Sequence, residues 1–214
     1  MDVTLITNLL GAIGLGAASG LNAWIPLFCL GMAERLGLVE LSQPFDSMGS
    51  TPVLIVLGSL LVLDLIGDKI PVIDHVLHAV GVVVAPASGA VVVLAQENLL
   101  SEVHPAVAAL TGMVLGGTIH AGRSAVRPAV TAGTGGVGNP VVSIIEDVIS
   151  AVLTALAIVV PVLAFLFVIA LVVGGVVVFR RWRRRRVARR DGASGAPVAP
   201  SPTAWQRGAS RRSV

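Results

Sequence analysis

The 214-residue chain is 55% hydrophobic and only 13% charged, with a mean hydropathy of +0.90. A soluble domain carries about 25% charged residues, so a soluble fold is excluded, and several apolar runs approach the ~20 residues that span a bilayer. The net charge of +3 is unevenly placed: residues 1–179 hold eleven acids and four bases (Arg35, Lys69, Arg123, Arg127), whereas residues 180–214 hold eleven arginines and one acid.

That boundary is abrupt. Gly174-Gly175-Val176-Val177-Val178-Phe179 runs into Arg180-Arg181-Trp182-Arg183-Arg184-Arg185-Arg186, which reads as a membrane span followed by a cytoplasmic tail. Anionic headgroups account for arginines beside an apolar span. Nucleic-acid binding needs basic residues spread over a folded surface, so it is excluded. Cys29 is the one cysteine, so neither an intramolecular disulfide nor a cysteine-rich metal site can form. The start, Met1-Asp2-Val3-Thr4, lacks the basic region of a cleavable signal peptide, so the first apolar segment is expected to be retained. One lysine against fourteen arginines points to a GC-rich bacterial genome, hence to a bacterial inner membrane.

In chain order, the first apolar stretch is Leu5–Ala33, broken near Asn22 and Pro26. It predicts either one kinked helix or a short helix and a second piece. A polar connection follows, then a span at Pro52–Gly67 with Asp64 in its last turn. Asp68 to His75 reads as a polar turn, and Val76–Ala95 as a third span interrupted at Pro86-Ala87-Ser88-Gly89. Pro105–Gly122 is a fourth span, whose small residues suit the inside of a bundle. Residues 123–138 read as a loop. Asn139-Pro140 opens a long helix that Pro161 kinks, running to Phe179. Residues 187–214, rich in Gly, Ala, Ser, Pro and Arg, are expected to be disordered. The prediction is an all-α polytopic transmembrane bundle with broken or kinked helices and about five spans, or six if the chain folds back at Pro161. Residues 1–179 form its membrane domain and residues 180–214 a basic, disordered cytoplasmic tail. Five spans put the N-terminus outside.

Four features could carry chemistry. Asp64 and Asp68 are four apart on one helical face, followed by Lys69, Asp74, His75 and His78; Asp74 and His78 are again four apart. Acids at membrane depth face a cavity or each other, so this cluster reads either as a cation or proton site or as an interfacial turn with Asp68 and Lys69 partly paired and Asp74 capping a helix. Ser143, Asp147, Ser150 and Thr154 form one polar stripe, with Glu146 beside it. The stripe is either a substrate or proton path or a set of interhelical hydrogen bonds. Gly133-x-Gly135-x-x-Gly138 matches the dinucleotide pattern in letters but lacks its strand and βαβ setting. What survives is a glycine loop that could offer N–H groups to an anion, with Arg123 and Arg127 nearby. The fourth feature is the break around Asn22-Ala23-Trp24-Ile25-Pro26. Gly138-Asn139-Pro140 has similar chemistry in the other half, an arrangement found in secondary transporters with inverted repeats. No nucleophile–base pattern or zinc motif appears, so neither catalytic residues nor a bound metal or cofactor is expected.

Ser19-Gly20-Leu21-Asn22-Ala23 with Pro26-Leu27, then Asp68-Lys69-Ile70-Pro71 with Asp74, then Gly138-Asn139-Pro140 with Glu146-Asp147 resemble the bacterial membrane-protein family catalogued as domain of unknown function 4126. The resemblance covers roughly residues 8–170 and implies a multi-pass membrane protein; it brings no function with it. In many relatives a Glu stands where this chain has Asp64, which keeps the charge.

The leading functional expectation is a small transporter or channel-like protein for an ion or small solute. Asn22, Asp64, Asp68, Lys69, Asp74, Asn139, Glu146 and Asp147 are its candidate binding residues. The alternatives are a non-catalytic scaffold or assembly factor and, less well supported, a membrane-embedded lipid enzyme using Asp68, His75 and His78. The implied partners are the lipid bilayer, anionic lipids through the arginine tail, and further copies of the chain as a homo-oligomer.

Overall fold

The structure, a computed structural model, describes residues 3–96 and 103–194. Among them it is helical throughout: α1 (Val3–Leu21), α2 (Trp24–Arg35), a short 3₁₀ turn (Phe45–Gly49), α3 (Thr51–Gly67), α4 (Pro71–Leu94), α5 (Pro105–Thr134), α6 (Asn139–Val159) and α7 (Pro161–Ser194). Five helices are long and apolar enough to cross a membrane: Val3–Leu21, Val76–Leu94, Pro105–Thr134, Asn139–Val159 and Pro161–Arg181. The apolar Thr51–Gly67 is shorter. The protein is a multi-pass integral membrane protein.

The first apolar stretch resolves into two helices. Pro26 has no N–H, and its ring crowds the carbonyl four residues back, that of Asn22; α1 accordingly ends at Leu21 and α2 starts at Trp24. The same argument separates α6 from α7. Val160, the residue before Pro161, is pushed out of the helical region to φ −138°, ψ 74°.

Three expectations are corrected. The polar turn after Asp68 ends early, because α4 already starts at Pro71, a residue suited to the first helical position. The third span is not interrupted at Pro86, because α4 continues through it to Leu94. Just beyond Pro86, Ser88 Oγ donates to Ala23 O and Gly89 lies close against the Gly112 carbonyl. The supposed loop at 123–138 is helical as far as Thr134. Residues 123–134 are mostly Ala, Arg, Val and Thr, of which Ala and Arg are strong helix formers, and the helix ends only where Gly135 adopts φ 62°. Arg123 and Arg127 thus lie one turn apart on α5.

Residues Met1–Ala170 form one compact unit. Within it α1 packs against α4, α5 and α6, and α2 against α3, the 3₁₀ turn and α6. The connection after α2 is pinned to the end of α4 by Ser42, whose N–H donates to Ala95 O and whose hydroxyl donates to Leu94 O, at 2.8 and 2.7 Å. The unit buries a set of polar groups within an apolar core and turns large apolar side chains outward. Ser19, Asn22, Asp68, Ser88, His120, Ser143, Asp147, Ser150 and Thr154 are buried, while Ile55, Leu63, Val83, Leu110, Val114 and Val148 are exposed. Lipid, not water, is the medium that such an exterior fits. Residues Leu171–Val214 form the second unit. There the helical description continues past the charge boundary at Phe179 through the arginines to Ser194; residues 195–214 lie outside the described residues.

α4 and α5 meet through glycines. A Cβ added at Gly112 would lie 2.1 Å from the Gly89 carbonyl oxygen, and one added at Gly89 would lie 2.2 Å from that of Gly112. Small residues at a membrane crossing let backbones touch in this way. Gly112→Ala is therefore expected to force the helices apart and lower stability by about 1–3 kcal/mol, the usual cost of overpacking. Gly122→Ala on the same helix, with open space around its Cβ, should leave the thermal midpoint unchanged or raised. Equal midpoints for the two variants would contradict the close crossing.

Candidate functional site

The site is built on the gap between α1 and α2. A broken helix at membrane depth leaves carbonyls that need donors, and three neighbouring helices supply them. Arg123 Nη1 of α5 donates to Leu21 O at 2.5 Å and Ser88 Oγ of α4 to Ala23 O at 2.7 Å; Ser150 Oγ of α6 lies 3.5 Å from Asn22 O and donates at 3.0 Å to Ala18 O, which also accepts from Asn22 N–H. Asn22 works in both directions. Its Oδ1 accepts from the N–H groups of Trp24 and Ile25 at the start of α2, at 2.9 and 3.2 Å. This fixes the amide, so its Nδ2 must point the other way. There it donates to Asp64 Oδ2 at 2.8 Å and Asp147 Oδ1 at 2.9 Å.

Asp68 caps the end of α3, its N–H bonded to Asp64 O at 2.9 Å. Its carboxylate is 5% exposed and pairs with Arg123 Nη2 at 3.1 Å and, more loosely, Arg127 Nη2 at 3.8 Å; Ser143 Oγ donates to it as well. Glu146 takes Arg123 Nε at 2.6 Å and Arg127 Nη2 at 3.2 Å. The two guanidiniums bridge Asp68 on α3 to Glu146 on α6, planar donors each serving two carboxylates. One carboxylate oxygen from each of Asp64, Asp68 and Asp147 lies within 4.8 Å of the others.

Among the described side chains the cluster holds four carboxylates and two guanidiniums. Its formal charge is −2 if all are ionised, in a setting where an uncompensated charge costs several kcal/mol. A cavity of about 60 Å³ adjoins it, lined by Asn22, Asp64, Asp68, His78, His120 and Arg123 among others. The rings of His78 and His120 lie 5.0 Å apart there.

The structure brings together Asn22, Asp64, Asp68, Glu146 and Asp147 of the sequence-predicted residues. Lys69 makes no hydrogen bond in the cluster: it is exposed and bonded to Leu65 O rather than to Asp68, and its charge acts on Asp147 only through space. Asn139 also lies apart, exchanging hydrogen bonds with Thr131 at 3.0 and 3.2 Å. The side chains of Asp74 and His75 are outside the described residues. The polar stripe of α6 is turned fully inward: Ser143, Ser150 and Thr154 are 0% exposed and Asp147 8%. Ser143 and Ser150 bond to other helices, and Thr154 closes back on Ser150 O.

Sequence reasoning set Arg123 and Arg127 beside an anion at the glycine loop rather than against the acids, and it did not single out Ser88 as a site residue. The signal for the arginines was their spacing of four on a segment with no glycine between them, opposite a surplus of acids in the same half of the chain. With both guanidiniums engaged by acids, the glycine loop loses the cations that an anion site there needs.

The chain belongs to the family described as Domain of unknown function (DUF4126), whose family model matches residues 9–181. No curated protein and no solved structure matches it.

Removal of the Asn22 side chain leaves two α2 N–H groups and two carboxylates short of a partner, at about 1–3 kcal/mol for each buried group left unpaired. Asn22→Ala is expected to lower the thermal midpoint. Asn22→Asp, which keeps the acceptor for α2 but sets a third carboxylate between Asp64 and Asp147, should lower it further at neutral pH. The opposite order would mean that Asp64 and Asp147 are not both ionised.

Proposed function

We propose that this DUF4126 member is a small, non-enzymatic transporter or channel-like protein of a bacterial inner membrane, with the arginine-rich end in the cytoplasm and a cation or protons as its cargo. The observation that carries the reading is the buried surplus of carboxylates at a broken helix: Asp64, Asp68, Glu146 and Asp147 against Arg123 and Arg127. Intramembrane acids of this kind mark ion pathways and proton relays, and unwound backbone beside them is how many secondary transporters build a site.

The chemistry divides between the helices. Asp68 and Glu146 are held by arginines and fix α3 to α6 through α5. Asp64 and Asp147 have no cationic partner within salt-bridge distance among the described residues and share one neutral amide. They are the pair best able to change partner when a cation or proton arrives. The apolar exterior supports contact with the bilayer, and the exposed Arg180, Arg181 and Arg184 support attraction to anionic headgroups on the cytoplasmic side.

A second reading, a membrane scaffold, is favoured by the continuation of α7 beyond its apolar run, through the arginine-rich stretch to Ser194, a basic segment suited to an acidic partner or to anionic headgroups. Deletion of residues 187–214 should abolish a scaffold's role and spare transport.

The test is flux in liposomes reconstituted with the full chain under an imposed cation or proton gradient. Wild type is expected to dissipate the gradient, and Asp64→Asn and Asp147→Asn, each verified as folded, to lose at least about ten-fold in rate, the scale expected when an essential ionisable group is removed. Asn139→Ala should retain it. No flux from folded wild type with any monovalent cation, divalent cation or proton gradient would overturn the reading.

A further inference from the structure

We propose that Asp64, Asp68 and Asp147 form a binding site for one hard divalent cation, of the class of Mg²⁺, Mn²⁺ or Ca²⁺, with His120 facing the water of its coordination shell. This names the cargo or co-ligand of the site described above and rests on that reading.

Geometry is the first support. Three oxygens no more than 4.8 Å from one another leave a central point within about 2.8 Å of each, a small contraction away from the 2.0–2.6 Å at which hard divalent cations meet oxygen. Each of the three carboxylates also keeps one oxygen free to take a new partner. Every hydrogen bond and ion pair to Asp64 and Asp68 among the described residues falls on Oδ2, and the one to Asp147 falls on Oδ1. The second oxygen of each carboxylate takes none. Asn22 cannot turn its carbonyl inward to compete, because that oxygen is bound to Trp24 and Ile25.

Charge is the second support. The described cluster is left at −2 by its two arginines, and one divalent cation neutralises it. A donor set of carboxylates with no thiolate suits magnesium, manganese or calcium rather than zinc or copper.

The third support is independent of the acids. His120 is 5% exposed, lines the same cavity of about 60 Å³ and has an Nε2 with no hydrogen-bond partner. A buried, unpaired ring nitrogen is costly, and a cavity of that size accommodates water. Hard divalent cations, magnesium above all, keep part of their hydration shell when bound to protein. A bound water oriented by His120 is the kind of outer contact that steadies a metal site. The cavity is thus lined by two of the three acids, Asp64 and Asp68, and by a histidine for the ion's water, while Asp147 reaches the ion from outside its lining.

The probe is Mn²⁺, added to metal-stripped full chain in detergent and followed by the loss of its free-ion EPR signal. Expected are one saturable site per chain, displacement by Mg²⁺ or Ca²⁺, and affinity reduced by at least about ten-fold in Asp64→Asn and in Asp147→Asn. His120→Asn should weaken binding by a smaller factor, within the ten- to hundred-fold range of outer-contact losses or below it. Circular dichroism melts establish that each variant is folded. No saturable Mn²⁺ binding to folded wild type, or binding unchanged in a folded Asp64→Asn/Asp147→Asn double variant, would overturn the site. Proton flux measured in parallel with a chelator present separates the two ideas. Acid-dependent proton flux without Mn²⁺ binding sinks the metal site and leaves transport standing. Acid-dependent Mn²⁺ binding without flux of any ion upholds the site and sinks transport.

Discussion

A proline three residues into α2 forces the backbone out of a helix inside an apolar medium, and everything around the site answers that one constraint. Pro26 cannot donate to Asn22 O and crowds it, so the chain opens between Leu21 and Trp24. In hydrocarbon the exposed carbonyls need donors. Ser88, Arg123 and Ser150 come from three different helices to provide them. The break is therefore not a loose joint. It is the point at which α1, α4, α5 and α6 are fastened to one another by polar bonds.

Arg123 links this structural duty to the electrostatic one. The same guanidinium binds Leu21 O, Asp68 and Glu146. It cannot leave the acids without unsealing the break. Asn22 has the same double role on the other side, holding the start of α2 with its oxygen and Asp64 and Asp147 with its nitrogen. A change in the charge state of Asp64 or Asp147 acts directly on the residue that sets the angle between α1 and α2. Under the transport reading proposed above, that coupling is what an ion-driven conformational step would use.

The sequence made much of this legible, for identifiable reasons. Asn22 with Pro26 announced the break. The i, i+4, i+7, i+11 spacing of Ser143, Asp147, Ser150 and Thr154 announced the inward face of α6, and all four are buried. Asp64 and Asp68 announced an acidic face. What stayed hidden were the partners. The likeness of Asn139-Pro140 to Asn22–Pro26 was local chemistry only; Asn139 starts an ordinary helix and bonds to Thr131, because no apolar run is interrupted there. Arg123 and Arg127 were read into a loop at 123–138 that ends in the glycines 133–138, although the chain before those glycines carries only Gly122 and Pro128 as breakers. Within a membrane helix packed on neighbours both are tolerated, and the helix ran on to Thr134. Pairing between residues 68 and 123, or 22 and 147, depends on the tertiary arrangement, which no local pattern in a single chain encodes.

The central claim is that the broken helix is surrounded by more negative charge than its arginines neutralise. The most direct measurement is the thermal unfolding midpoint, at neutral pH without added divalent cations, of wild type against the Asp64→Asn/Asp147→Asn double variant. Asparagine keeps an oxygen to accept from Asn22 while removing the surplus charge, so the account predicts a higher midpoint for the double variant, as when buried charge is replaced without loss of packing. A lower midpoint would contradict it, because it would mean that the two carboxylates stabilise the fold as they stand and carry no uncompensated charge.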